Sequence, residues 1–237
     1  MKPNGPSQDC KPGELPGDRP AANLSVPSLR ILIADDHALI RQGLKQVLTD
    51  EFKHSEIGEA SNAREALALV SSRAWDAILL DITMPGQSGL DILKQVKELY
   101  PKTPVLVLSM HPEDQYAMRA LKAGASGYLT KNTASELVAT ALRKVLSGGT
   151  YVSHSLAEEL AHRLTEPGAR APYEMLSDRE YQIMSSLASG KSVKEISFEL
   201  GLSIKTVSTY RTRLLRKLKL GTTAELIRYA LREGLVH

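Results

Sequence analysis

The sequence predicts an α/β protein in which a five-stranded, parallel, doubly wound sheet is followed by a small all-α domain. Short apolar runs alternate with helical patterns over the first two thirds of the chain, which is typical of a parallel sheet covered on both faces. The last third instead contains repeated helix-capping patterns. The 237 residues are 42% hydrophobic, which is enough for two folded domains.

Five short apolar segments are predicted to form the strands, each bounded by polar or turn-forming residues. They lie at 29–34, 55–60, 77–80, 104–109 and 127–129. Apolar residues at helical spacing predict helices at 38–48, 62–70 and 89–100, an alanine-rich helix before the fifth strand, and a helix from 133 to about 147. Asn62 and Thr133 are each followed three residues later by glutamate, so both are expected to cap helices.

Chemically active residue types follow the predicted strands. These are Asp35, Asp36, Asp81, Ser109 and Lys131. Because ligands bind at the carboxyl ends of the strands in such sheets, we expect these side chains to form one site. Any one of the aspartates alone is better explained as a helix cap or a strand end, and only their combination favours a site.

The acidic residues of this site predict a bound cation. Carboxylates within a few ångström raise one another's pKa, and Mg²⁺ is the hard cation that oxygen ligands of this kind usually hold. The ammonium group of Lys131 and the hydroxyl of Ser109 are suited to phosphoryl oxygens. We therefore predict phosphoryl transfer with Asp81 as the nucleophile.

The charge distribution indicates a polyanion partner for the C-terminal part. Residues 1–170 carry 19 basic and 20 acidic side chains, whereas residues 171–237 carry 11 basic and 7 acidic ones. No acidic residue occurs between Gly201 and Lys219. A solvated helix face is the simpler explanation for Lys217 and Lys219, but it explains the complete absence of acids less well.

Capping patterns predict four helices in this part. Three boxes pair Ser177 with Glu180, Ser192 with Glu195, and Thr222 with Glu225, and Ser203 caps a further helix. Gly190, Gly201 and Gly234 are the predicted helix stops. The helix at 193–200, the turn at Gly201 and the helix after Ser203 form a predicted helix-turn-helix.

From Leu29 to Ser147 the sequence resembles the receiver domain of bacterial two-component response regulators. The matching residues are the Asp35-Asp36 pair, Asp81 with the following Ile-Thr-Met-Pro-Gly segment, Ser109, Tyr128 and Lys131. The resemblance implies a flavodoxin-like sheet and phosphorylation of Asp81 by a partner histidine kinase. It also implies that Ser109 and Tyr128 form a switch pair.

The same resemblance implies how a metal ion is held. Asp36, Asp81 and the backbone carbonyl of Thr83 would bind Mg²⁺, and Asp35 would assist through a water molecule. A phosphatase of the haloacid dehalogenase type is the rival with an aspartyl nucleophile. That family would need a second aspartate where Thr83 stands, so we do not expect an enzyme that turns over free substrates.

From Met175 to His237 the sequence resembles the LuxR-type DNA-binding domain, so the whole chain resembles response regulators of the NarL/FixJ type. The matching stretches lie at 176–180, 190–196 and 203–207. By position, three residues would face bases, namely Ser208, Thr209 and Thr212. Four would lie near phosphates, namely Lys205, Thr206, Arg211 and Arg216. The last helix, at 222–233, would form a homodimer after phosphorylation.

Four regions are predicted along the chain: a disordered leader at 1–28, a receiver domain at 29–147, a linker with a possible helix at 148–174, and a DNA-binding domain at 175–237. The chain has neither an apolar run of about 18 residues nor a signal-peptide pattern. We therefore expect a cytoplasmic protein without a membrane segment. Two other interpretations stay open: a docking protein that binds no duplex DNA, and a DNA-binding protein indifferent to phosphorylation.

Overall fold

The computed structural model describes residues 29–85, 87–111, 113–165 and 171–236. Five parallel strands form one sheet, namely β1 (Arg30–Ala34), β2 (Glu56–Ala60), β3 (Ala77–Asp81), β4 (Val105–Ser109) and β5 (Gly127–Thr130). Their spatial order is β2-β1-β3-β4-β5. The predicted α/β class and all five predicted strands are confirmed. The predicted leader lies outside the described residues.

Helices cover both faces of the sheet. They are α1 (Ala38–Glu51), α2 (Ala63–Ser72), α3 (Gly89–Leu99), α4 (Glu113–Lys122) and α5 (Lys131–Leu146). Successive strand residues point to opposite faces, so Leu32 packs with side chains of α2, α3 and α4, whereas Ile31 and Ile33 pack with those of α1 and α5. This packing holds the strand ends in fixed positions.

The rest of the described chain is helical. It comprises α6 (His154–Thr165), a short 3-10 helix (Pro172–Met175), α7 (Asp178–Ala188), α8 (Val193–Glu199), α9 (Ile204–Leu218) and α10 (Thr223–Arg232). The four predicted C-terminal helices are present, and α6 is the possible helix predicted within the linker at 148–174. Within the described ranges, no helix has the length and apolar character needed to cross a membrane.

Side-chain caps explain where most of these helices begin. Asn62 accepts a hydrogen bond from the Glu65 amide, and Ser177 and Ser192 form complete capping boxes with their glutamates. Thr222 accepts from the Glu225 amide, but the Glu225 carboxylate binds the amide of Gly221 instead of closing the box. Most of the predicted N-caps are therefore confirmed.

The predicted cap at Thr133 is wrong. Helix α5 begins at Lys131, directly after β5, and Thr130 is the residue before its first turn. The hydroxyl of Thr133 lies inside that first turn and donates to the Thr130 carbonyl oxygen at 3.2 Å. Because α5 follows the strand without a loop, Lys131 is positioned by both elements.

Candidate functional site

The acidic residues lie together at the position where the order of the strands in the sheet reverses. Strands β1 and β3 are neighbours, with Ala34 opposite Leu80, although β2 lies between them in sequence. Asp35 and Asp36 follow β1, and Asp81 is the last residue of β3. This position is the switch point at which doubly wound sheets bind ligands.

Lys131 joins two of the predicted aspartates. Its Nζ lies 2.7 Å from Oδ2 of Asp35 and 2.6 Å from Oδ2 of Asp81, and all three side chains are buried. The amide and the hydroxyl of Thr83 donate to Oδ1 of Asp81 at 2.7 and 2.6 Å. Both carboxylate oxygens of Asp81 therefore have hydrogen-bond partners. No pattern in the sequence indicates that the Thr83 side chain is one of these partners.

Asp36 and His37 complete the group. His37 is 57% exposed, and its Nδ1 lies 2.9 Å from Asp36 and 3.2 Å from Asp35. Burial raises the pKa of Asp36, and repulsion by Asp81 adds to this effect, while His37 opposes it. The site therefore holds its carboxylates closer together, and with less water around them, than is favourable for charged carboxylates.

The donor set fits a hard cation. One ligand atom each from Asp35, Asp36, His37 and Asp81 lies within 4.8 Å of the others. Asp35 Oδ2 and Asp36 Oδ1 are buried and have no hydrogen bond of ordinary geometry, although charged or basic nitrogens lie nearby. Carboxylate oxygens are among the ligands that Mg²⁺ takes in proteins.

The two predicted switch residues meet at a third residue. Ser109 and Tyr128 are both fully buried. The His111 amide donates to the Ser109 hydroxyl at 3.0 Å, and the Tyr128 hydroxyl donates to the His111 carbonyl oxygen at 2.9 Å. Sequence reasoning missed His111, because an isolated histidine in a loop carries no pattern.

Helix α9 presents polar residues on one side. Val207, Leu214, Leu215 and Leu218 are buried on its other side. Four of the seven predicted DNA-contact residues are exposed, and we call their side of the helix the open face: Lys205, Thr209, Thr212 and Arg216. The other three are half-buried, namely Thr206, Ser208 and Arg211. The Arg211 Nε donates to the hydroxyl of Thr223 at 2.8 Å, which ties α9 to α10.

Lys217 has a structural partner. Its Nζ lies 2.6 Å from a carboxylate oxygen of the buried Glu180. Burial alone would raise the pKa of Glu180, but hydrogen bonds from Lys217 and Ser177 outweigh it and lower the pKa. Lys217 therefore stabilises the packing of α9 on α7.

Replacing Lys217 by methionine is expected to lower the free energy of unfolding of the C-terminal domain by about 1 to 3 kcal/mol at pH 7, because a buried carboxylate loses a charged partner. A carboxyl group whose pKa is lowered by folding contributes stability above its unfolded pKa, near 4.5, and loses it as the pH falls through the folded value. Hydrogen exchange of α7 amides should show the difference shrinking below pH 4.5. Lys219→Met is the control, and an equal loss there would contradict this role.

Comparison with known proteins identifies both parts of the chain. The family described as the response regulator receiver domain matches residues 31–143, and the family of bacterial regulatory proteins of the luxR type matches residues 174–230. Response regulator UvrY of Escherichia coli strain K12 is 36% identical over 208 residues, which cover 87% of this chain and 95% of UvrY. Response regulator GacA of Pseudomonas aeruginosa is 35% identical over 209 residues, 88% of this chain and 98% of GacA.

A solved structure of the RcsB response regulator of Salmonella typhimurium has a similar fold. It covers 88% of this chain and 98% of its own, with a TM-score of 0.63 and 22% sequence identity. At this identity the likeness concerns the fold alone.

Proposed function

The chain belongs to the response regulators of the NarL/FixJ type, which are phosphorylation-controlled transcription regulators, and on this basis we propose that Asp81 is its phosphoryl acceptor. The observation that carries the proposal is the meeting of Asp81 with Asp35 and Lys131 at the switch point of the sheet. Buried carboxylates around one lysine have little value for stability alone. They suit a site in which the lysine, a metal ion and a phosphoryl group are bound in different states of the protein.

Transfer to Asp81 forms one bond and breaks another. A carboxylate oxygen attacks phosphorus while the bond from phosphorus to the histidine nitrogen of a partner kinase, or to the acyl oxygen of acetyl phosphate, breaks. The leaving atom keeps the electron pair, and the product is an acyl phosphate on Asp81. Because Asp81 is buried and both its oxygens are engaged, Lys131 must shift from the carboxylate to the incoming phosphoryl oxygens.

We assign the metal site to Asp35, Asp36, Asp81 and the Thr83 carbonyl, with Mg²⁺ as the ion. When bound, Mg²⁺ neutralises charge on the carboxylates and the phosphoryl oxygens. The chain itself orients the acceptor, since Thr83 holds one carboxylate oxygen of Asp81 through two hydrogen bonds. Ser109 then turns toward the phosphoryl group, and Tyr128 responds as its switch partner. No turnover of free substrates is part of this function.

The C-terminal domain binds double-stranded DNA through α9. Ser208, Thr209 and Thr212 carry small hydroxyls that let the helix approach bases in the major groove, and Lys205, Thr206, Arg211 and Arg216 lie nearer phosphates. Helix α10 forms the dimer contact in the phosphorylated protein. The receiver at 29–147, the linker at 148–174 and the DNA-binding domain at 175–237 act together in the cytoplasm, with a histidine kinase as the upstream partner.

Salt titration of duplex binding tests this function, with and without acetyl phosphate and Mg²⁺. Log affinity should fall linearly with log salt, and phosphorylation should raise the affinity by about 5 to 150-fold. Arg216→Ala should weaken binding to a selected and a random duplex alike and reduce the slope by about 1, whereas Thr212→Ala should reduce the preference for the selected duplex.

The control is Arg64→Ala, which removes an exposed arginine from the receiver and should change neither the affinity for duplex DNA nor its salt dependence. Absence of duplex binding at low salt would favour a docking protein. Equal affinity with and without acetyl phosphate would make phosphorylation irrelevant to DNA binding.

A further inference from the structure

The two domains contact each other between α4 and the segment that leads into α7. Arg119 of α4 donates to the carbonyl oxygens of Tyr173 at 2.7 Å and Leu176 at 2.9 Å. Its guanidinium also lies 3.3 Å from Asp178, whose other carboxylate oxygen is 2.6 Å from Lys94 of α3. Backbone carbonyls and a carboxylate thus hold one receiver arginine in place.

Aromatic side chains form the centre of this interdomain contact. Tyr116 of α4 is buried and packs edge-on against Tyr181 of α7, with ring centroids 5.1 Å apart. The Arg119 guanidinium lies over the Tyr181 ring at 4.1 Å. A T-shaped ring pair and a cation over an aromatic face are both favourable geometries. The contact is therefore specific, and any displacement of Tyr116 would disturb it.

His111 connects this contact to the phosphorylation site. Its main chain binds both switch residues, Ser109 through the amide and Tyr128 through the carbonyl oxygen. Its ring stacks on Tyr116 with centroids 4.5 Å apart and an interplanar angle of 23°. Burial lowers the pKa of His111, which favours the uncharged ring in this stacking contact.

We propose that His111 is the positioning residue that transmits phosphorylation of Asp81 to the DNA-binding domain, through its stacking on Tyr116 and the contact of Tyr116 with Tyr181. The inference rests on the proposed function of Asp81. When the Ser109 hydroxyl turns to the phosphoryl group, the His111 amide loses its acceptor. Movement of the His111 ring then loosens the interdomain contact.

Two observations place His111 between the switch residues and the DNA-binding domain. The Tyr128 ring is fully buried and its hydroxyl donates to the His111 carbonyl oxygen, so a response of Tyr128 to Ser109 also acts on His111. The open face of α9 is exposed while the domains are in contact, so the receiver does not act by covering Lys205, Thr209, Thr212 or Arg216. The contact instead controls the placement of the DNA-binding domain relative to the receiver.

Hydrogen exchange of residues 173–188 in the full-length protein tests the inference, with label at Asp81 measured in the same samples. In the wild-type protein, acetyl phosphate and Mg²⁺ should speed exchange by about fivefold or more, the lower end of typical couplings. In His111→Ala, exchange should already be fast without phosphorylation and change less than about twofold with it. Labelling of Asp81 should stay at the wild-type level.

Two matched variants separate stacking from a general effect of mutation. His111→Phe retains a flat aromatic ring and should respond as the wild type does. His154→Ala removes a histidine that is 91% exposed on α6 and should also respond normally. If His111→Ala does not fold, Tyr116→Leu replaces the next residue between the switch and the DNA-binding domain. Hydrogen exchange in this variant should no longer respond to phosphorylation.

The inference is overturned if a labelled His111→Ala protein retains the full wild-type response, or if His111→Phe loses it. A labelled wild-type protein with unchanged exchange would overturn it as well. Failure of the proposed function gives a different result, namely no label on Asp81 of the wild-type protein.

Discussion

Replacing Asp81 by asparagine is expected to reduce incorporation of label from acetyl phosphate at least about 100-fold, because the amide lacks the anionic oxygen that attacks phosphorus. Asparagine retains a carbonyl oxygen that can accept the hydrogen bonds from Thr83, and Lys131 retains Asp35 as its partner. The fold should therefore persist. Labelled acetyl phosphate with Mg²⁺, followed by measurement of protein-bound phosphate, checks the result.

Asp50→Asn is the matched control for this variant. Asp50 lies on the exposed side of α1 and pairs only with Gln46 among the contacts that its side chain makes in the described residues. Its replacement makes the same chemical change outside the site, so labelling should stay at the wild-type level. Wild-type labelling of Asp81→Asn would remove the basis of the proposed mechanism.

Replacing Lys131 by methionine is expected to lower the free energy of unfolding of the receiver by about 3 to 5 kcal/mol in EDTA at neutral pH, because it leaves two buried carboxylates without their cation. Adding Mg²⁺ should restore part of the loss, about 2.7 kcal/mol at 100 times the dissociation constant. Urea unfolding followed by the fluorescence of the single tryptophan, Trp75, reports this domain, since the residue is buried in its core.

The control for charge alone is Lys45→Met, which removes a half-exposed lysine that pairs with Glu59 on the surface. Such a pair contributes only about 0 to 1 kcal/mol, and its loss should not depend on Mg²⁺. A Lys131→Met protein as stable as the wild type in EDTA would show that the three buried side chains do not interact as the distances indicate. A loss that Mg²⁺ leaves unchanged would argue against the metal site.

Local sequence patterns were sufficient to predict the sheet and the acidic site. A buried parallel strand is a short apolar run, and the residues directly after it lie at a known edge of the sheet. Asp35 and Asp81 could thus be placed together although they are 46 residues apart in sequence. The same reasoning failed at Thr133, because a capping pattern does not show that a helix has already begun at Lys131.

The amino-acid sequence by itself determined the α/β class, the carboxylate cluster with its lysine and the hydroxyl-bearing helix of the C-terminal domain. Only the tertiary structure decided that His37 reaches Asp36, that Lys217 pairs with Glu180, and that His111 links the switch residues to Tyr116. Lys217 and Glu180 come from two different helices, whereas His37 and His111 lie in the loops after β1 and β4, whose course depends on the packing around them. Periodicity records which face of an element is buried, but it does not record which residue of another element covers that face.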